Sequence, residues 1–307
     1  MRYEINENLD KFLFPKIRMS CFNSLCDIDY LKNIPNKEIL NLLSTKLIND
    51  RFGEWTMTSS GKEAIQNALI KIGVNKETII GIKTSTENGY VSSCITKIIS
   101  KFCNYHIDTE KNCDIYFIVH NFGRPFRKWE NLDTDKKIIE DCCYAFSEQK
   151  SFASRGDYVI WSLPKAFNVP KGGLLFANGG INKIFNFSNT LDTNSIKYLK
   201  KFLLEYLQEI DLVFKNRLKS YEKISDKFSL SGIQERFKCD MYSFPAAYIF
   251  DMSFIEEKET FKSYINSKGI ESSIFYGSNC YFLPCHQNLS DIEIDYVIKI
   301  IESYEKK

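Results

Sequence analysis

The sequence predicts an α/β fold, with a sheet covered on both sides. Four short apolar runs carry the prediction, at 115–120, 137–141, 158–162 and 173–177. Each is of strand length, rich in β-branched or aromatic residues, and bounded by polar, Gly or Pro breaks. They are apolar throughout rather than alternating, which marks strands buried on both faces. Helical patterns precede and follow them. The composition agrees: 44% of the 307 residues are hydrophobic and 26% are charged, the balance of a folded chain with a sizeable core. That length allows one large domain or two modest ones.

In chain order, residues 1 to about 50 read poorly, and a short helix is expected over roughly 36–48. The segment TMTSSGKEAIQNALIKIG places polar capping residues before a helix whose Ile65, Ala68, Leu69 and Ile72 share a face. Residues 90–102 repeat the pattern with Val91, Cys94, Ile95, Ile98 and Phe102. The four strand-like runs follow, and the alternation ends near 190. A long helix is expected over 195–218, striped by Leu199, Phe202, Leu203, Tyr206, Leu207, Ile210, Val213 and Phe214. Residues 242–252 read as a strand region. The last helix carries a capping box, Ser290 with Glu293, and a stripe of Ile294, Val297, Ile298 and Ile301. A domain boundary is expected between 200 and 225, dividing the chain into 1–210 and 211–307.

Lys plus Arg (41) nearly balance Asp plus Glu (39), so no nucleic-acid footprint is expected. No apolar run reaches membrane-spanning length, and the first residues lack a signal core. The ten cysteines form no CxxC pair and the three histidines are scattered, which argues against a zinc cluster. Unpaired cysteines without a secretion signal fit a reducing cytoplasm.

Three segments could carry chemistry. In SSGKEAIQNAL, a Gly at a helix start lets the backbone approach a ligand, and the free amides there favour an anion such as phosphate. An ordinary capped helix also accounts for this segment. In KIIEDCCYAF, Glu140 and Asp141 close a strand, where carboxylates point into the ligand crevice of α/β proteins or simply into solvent. In GDYVIWSLPKAFNVPKGGLLF, Lys165 follows a core strand. Desolvation there is expected to lower its pKa, making it a candidate Schiff-base amine, against a surface loop lysine as the alternative. Ser162, three residues earlier, could bind a phosphate near the same aldehyde. Together, a phosphate-binding helix start, a strand-end Asp and a Ser-x-x-Lys are the parts that a pyridoxal 5'-phosphate (PLP) site needs.

These segments resemble the DegT/StrS-type nucleotide-sugar aminotransferases, PLP enzymes of fold type I. SGKEAIQNAL is similar to the family's SGTxAL, IVHNFGRP to VHLYGxP, IIEDCCYAF to IEDxAxA, and LPCHQNLSD to LPxHxxLS. GDYVIWSLPK with AFNVPKGGLLF resembles GDxxxFSxxxxK followed by six residues and GG. The resemblance covers roughly 55–180, with an echo at 281–301. It implies a three-layer α/β/α large domain with a mixed, mostly parallel sheet, and a smaller C-terminal α+β domain. It makes Lys165 the amine that bonds the cofactor and Asp141 the partner of its pyridine nitrogen. Gly61, Lys62, Glu63 and Ser162 would hold the phosphate. Tyr90 is the candidate aromatic stacked on the ring, and Tyr144 stands near the phenolic oxygen where many members have Gln. Lys62 replaces the usual Thr.

Lys171 competes with Lys165 but directly precedes the GG pair. His120 and His286 are expected to be structural, with the substrate entrance as an alternative place for His286, and Cys142 and Cys143 to be packing residues. The resemblance implies a cytoplasmic homodimer that moves an amino group, by analogy from glutamate, to a nucleotide-linked keto-sugar in amino-sugar or surface polysaccharide biosynthesis. The alternative is a degenerate, non-catalytic relative that binds a sugar nucleotide or a partner enzyme.

Overall fold

The computed structural model describes residues 17–21, 55–145, 152, 155–178, 191–208 and 210–305. The helix expected over 36–48 lies outside them. The first part runs β1 (Trp55–Thr58), α1 (Gly61–Ile72), β2 (Ile79–Thr84), α2 (Ser93–Phe102), β3 (Asn104–Ile107), β4 (Ile115–Val119), β5 (Lys137–Asp141), β6 (Tyr158–Ser162), the one-turn helix α3 (Leu163–Ala166) and β7 (Gly173–Ala177). Its strands form one seven-stranded sheet in the order β1-β7-β6-β5-β4-β2-β3. From β3 to β6 every neighbour is parallel; β7 and β1 are each antiparallel to the strand they join. The mixed, mostly parallel sheet is as expected.

Strand alternation explains why the runs looked apolar throughout. Ile160 and Leu175 face one layer, with Ile65 and Leu69 of α1 and Ile95 and Ile99 of α2. Val159, Trp161, Leu174 and Phe176 face the opposite layer. That second layer is supplied by α4 (Thr193–Gln208) and α5 (Ile210–Leu230), through Leu199, Phe202, Leu203 and Val213. The rest is a three-stranded antiparallel sheet of β8 (Ala247–Asp251), β9 (Ser273–Phe275) and β10 (Cys280–Pro284), in the order β8-β10-β9. It packs with α6 (Lys258–Ser267) and α7 (Asp291–Glu305) around Tyr248, Phe250, Phe261 and Tyr281. Ile17 bridges to Ile270 beside this second sheet. No described helix is long and apolar enough to cross a membrane.

Several expectations are corrected. The helix expected from Tyr90 begins at Ser93, because the Ser92 hydroxyl accepts the Cys94 amide and caps it. Cys94, placed on the apolar face, is exposed. The short strands β1, β2 and β3 were not expected. β1 was read as capping residues, and β3 is an edge strand with little apolar signal. The helix expected to end at 218 continues to Leu230, because Tyr221, Ile224 and Phe228 extend its buried stripe into the second core. Tyr206 and Leu207 lie outside the described side chains. The strand region 242–252 narrows to β8, since Pro245 has no amide to donate. The capping box of α7 forms: the Ser290 amide donates to Glu293 Oε2 (2.8 Å) and the Glu293 amide to Ser290 Oγ (3.3 Å).

His286 follows β10 and is 5% exposed. Its Nδ1 accepts the Asn288 amide (3.2 Å), so the proton sits on Nε2 and is donated to the Arg18 carbonyl (3.1 Å). Burial first, then the Arg217 guanidinium, push its pKa down to about 3. Unfolding restores a value near 6.5, so below that pH the unfolded chain binds one more proton than the folded chain. Stability contributed by neutral His286 is therefore complete above pH 6.5 and falls by up to about 1.4 kcal/mol per pH unit toward pH 4.5. Thermal melts should show a Tm loss across this window, and His286→Gln should flatten it.

Candidate active site

The site starts from a row of residues set by strand register. Thr58 at the end of β1 pairs with Gly173 of β7, and Gly173 pairs with Ser162 at the end of β6. Two residues after Thr58 the chain enters α1. A Cβ on Gly173 would stand 2.5 Å from the Ser60 carbonyl carbon and 2.7 Å from the Gly61 nitrogen. A Cβ on Gly61 would meet Cys143 Sγ at 3.0 Å and Ser162 Cβ at 3.2 Å. Both absences let the helix start lie directly against β6 and β7.

Ser60 caps α1 by accepting the Glu63 amide (3.3 Å), and the Glu63 carboxylate accepts the Ser59 amide (2.5 Å). Glu63 was expected to hold a phosphate. It instead closes a capping box and does not line the cavity. The Gly61 and Lys62 amides have no acceptor among the described residues. Gly61, Lys62 and Ser162 all line the cavity, with Gly61 directly beside Ser162.

Asp141 ends β5, next to β4, and its Oδ1 accepts the Cys143 amide (2.9 Å), which fixes the carboxylate at the cavity wall. Glu140, its neighbour in sequence, points to the other face. There Oε2 accepts His120 Nε2–H (3.0 Å), and Oε1 accepts the amides of Arg155 (2.7 Å) and Gly156. Burial raises the pKa of Glu140, but these donors outweigh it and hold the carboxyl below its ordinary value. His120 Nδ1 accepts the Phe126 amide (3.0 Å). Both ring nitrogens are thus committed, and His120 is structural as expected.

Lys165 lies in α3, one turn after Ser162, which puts both on one side of the cavity. Its Nζ sits 3.9 Å from the centroid of the Tyr144 ring. Desolvation was expected to lower its pKa. Burial does pull it down, as the largest single effect, but Tyr144, Cys143 and Asp141 together raise the net value above that of an ordinary lysine. Burial also pushes up the Tyr144 hydroxyl and the Cys143 thiol. Lys165 is therefore held as a cation. Lys171 is exposed and lies outside the cavity.

The cavity measures about 330 Å3 and gathers Gly61, Lys62, Tyr90, Asp141, Tyr144, Ser162 and Lys165. Of the expected site residues, only Glu63 is left out. The sequence reading missed Asn121 and Phe122; Cys143 packs in the core as expected and also lines the wall. The signal was present in IVHNFGRP, where Asn121 and Phe122 stand in place of Leu and Tyr. Asn121 is 4% exposed and donates from Nδ2 to the Tyr90 carbonyl (3.0 Å), leaving a buried Oδ1 with no partner among the described residues. Phe122 adopts a left-handed backbone (φ 49°), the kind of strain kept where surrounding structure enforces it. Tyr90 packs against Phe275 of β9, with centroids 4.6 Å apart.

The residues fit a phosphorylated pyridine aldehyde. Anion donors lie at one end, a carboxylate at the wall and an amine within reach, and the orphaned Asn121 oxygen awaits a donor. No protein-family model and no curated protein matches the chain. Solved structures match it over nearly its whole length. PseC of Helicobacter pylori, an aminotransferase involved in the biosynthesis of pseudoaminic acid, is 12% identical over 96% of this chain and 100% of its own, with a TM-score of 0.70. A DegT DnrJ EryC1 StrS aminotransferase of Brucella abortus is 14% identical over 92% and 94%, with a TM-score of 0.65. NtdA of Bacillus subtilis, solved with bound pyridoxamine phosphate (PMP), is 14% identical over 100% and 90%, with a TM-score of 0.66. The chain has the fold of these proteins. At such identities the likeness carries the fold, and the chemistry has to be argued from the cavity.

Gly173→Ala forces backbone against backbone at the helix start. Urea titration should show a loss of about 1–3 kcal/mol for this single methyl.

Proposed function

We propose that this chain is a PLP-dependent aminotransferase of the DegT/StrS type that transfers an amino group to a keto-sugar carried by a nucleotide. One observation carries the reading: two uncommitted helix-start amides, a Ser, an Asp and a Lys converge on one cavity, in the order the resemblance requires. The family, the cofactor and the reaction are inferred from this convergence together with the shared fold.

When bound, PLP supplies an electron sink for the substrate's Cα–H bond. The chain's own residues do the rest. The Gly61 and Lys62 amides and the Ser162 hydroxyl hold the phosphate, and the Lys62 ammonium adds charge where the resemblance has a hydroxyl. The Asp141 carboxylate, fixed by the Cys143 amide, keeps the pyridine nitrogen protonated. Tyr90 covers the ring face, and Tyr144 offers its hydroxyl beside the phenolic oxygen. Lys165 Nζ is the amine that would bond the aldehyde, and the same amine would hold and return the substrate's Cα proton.

Glutamate as donor, a homodimer, a cytoplasmic location and a place in amino-sugar or surface polysaccharide synthesis follow from the resemblance and belong to the same proposal. So does the division into a cofactor domain, 1–210, and a small domain, 211–307. It is supported by the seven-stranded sheet ending at Ala177 and the second sheet lying wholly within 247–284.

The test is to add PLP to the purified chain, record the visible band, reduce with borohydride and map the labelled peptide. The label should lie on Lys165, Lys165→Ala should abolish it, and L-glutamate should bleach the band before reduction. Because Lys165 is held as a cation, the bonding rate should rise by about tenfold per pH unit from pH 7 to 9. A colourless chain that takes up no PLP would sink the proposal and favour the non-catalytic binding relative.

A further inference from the structure

The backbone that carries Lys165 is held by side chains distant in sequence. α3 is a single turn, too short to satisfy its own last carbonyls. The Phe167 amide takes the Leu163 carbonyl (2.8 Å). The carbonyls of Pro164, Lys165 and Ala166 each receive a side-chain donor that is distant in sequence. Ser20 Oγ donates to Pro164 (2.7 Å), Arg217 to Lys165 (2.7 Å), and Gln287 Nε2 to Ala166 (2.9 Å).

Arg217 is the centre of this arrangement. It lies in α5, is 1% exposed, and forms no ion pair with a carboxylate among the described residues. Its donors are spent on carbonyls and one amide oxygen: Lys165, Ala166 (3.4 Å), Pro245 (3.2 Å) and Gln287 Oε1 (2.8 Å). The plane rests 4.6 Å from the centroid of the Phe244 ring. A buried guanidinium with no counter-charge is costly, so its retention calls for a specific use. Only a rigid fork of several donors can bind two consecutive carbonyls and Gln287 at once.

We propose that Arg217, seconded by Gln287, is a positioning residue for Lys165, fixing the height of Nζ over the cavity through the Lys165 and Ala166 carbonyls. The two donors come from α5 and from the loop between β10 and α7, so the second sheet's surroundings set where the amine stands. The inference rests on the proposed role of Lys165.

The test compares the wild-type chain with Arg217→Lys, Arg217→Met and Gln287→Leu, using two probes. PLP can bond Lys165, whereas PMP carries an amine in place of the aldehyde and cannot, so it reports only on the cavity. All variants should bind PMP within about twofold of wild type, while borohydride-trapped labelling of Lys165 by PLP slows by about tenfold or more, least in Arg217→Lys and most in Arg217→Met. If the Arg217 variants do not fold, the partly exposed Gln287→Leu decides alone by the same comparison. Equal losses for both probes would mean a merely structural role and overturn the inference, as would labelling at the wild-type rate. A wild-type chain that binds neither probe overturns the cofactor reading, and the inference with it.

Discussion

The architecture of the site depends on one steric constraint: the absence of a Cβ on Gly173 beneath the start of α1. The register Thr58–Gly173–Ser162 brings three strand ends into a row, and only a bare Cα lets the Ser60–Gly61 backbone rest on that row. From this contact follow the proximity of the α1 amides to Ser162 and the closed end of the cavity. It also explains why β7 opens on a glycine, although β7 itself contributes nothing to the chemistry. A methyl group there would lift the helix end away from the sheet and separate the anion donors.

Charge is handled differently on the two faces of the sheet. Glu140 and Asp141 are adjacent, yet strand alternation sends them to opposite sides. Glu140 is consumed by His120 and two amides, and it serves to fix the loops after β4 and before β6. Asp141 faces the cavity, where Tyr144, Cys143 and Asp141 together raise the pKa of Lys165. Arg217 and Arg124 are buried cations that bind carbonyls; Arg124 donates to the carbonyls of Phe237, Phe122 (3.5 Å) and Ala247 (3.3 Å). Each ties a loop at the end of a parallel strand to the second sheet or its flanking segments. The cavity is thus walled by the large sheet and braced by the smaller one.

Much of the fold was legible because burial leaves a periodic trace. The strands β4, β5, β6 and β7 were visible as apolar runs, and α7 as a capped stripe. The strands β1 and β3 were not, since a four-residue edge strand with polar neighbours has no such trace; β2, six residues long and interior to the sheet, was missed although Ile80 and Ile82 are buried. The extent of α5 was hidden because its later apolar residues serve a second core, which no single stripe reveals. Ser162, Asp141 and Lys165 could be found because their spacing is local. Asn121 stood in the IVHNFGRP segment, but its buried oxygen, without a partner among the described residues, leaves no mark in residue type. Glu63 was misplaced because a cap and an anion site use the same helix start.

The sequence by itself determined the fold class, the strand and helix texture around the site, and the residues that could carry a phosphate, a ring nitrogen and an aldehyde. These are properties of residue type and near spacing. Tertiary structure alone decided that the residues share one cavity, that the pKa of Lys165 is raised rather than lowered, and that Arg217 binds its carbonyl from 52 residues away. The reason is physical: basicity and position depend on what is packed against a group, and packing partners distant in the chain leave no mark in local sequence.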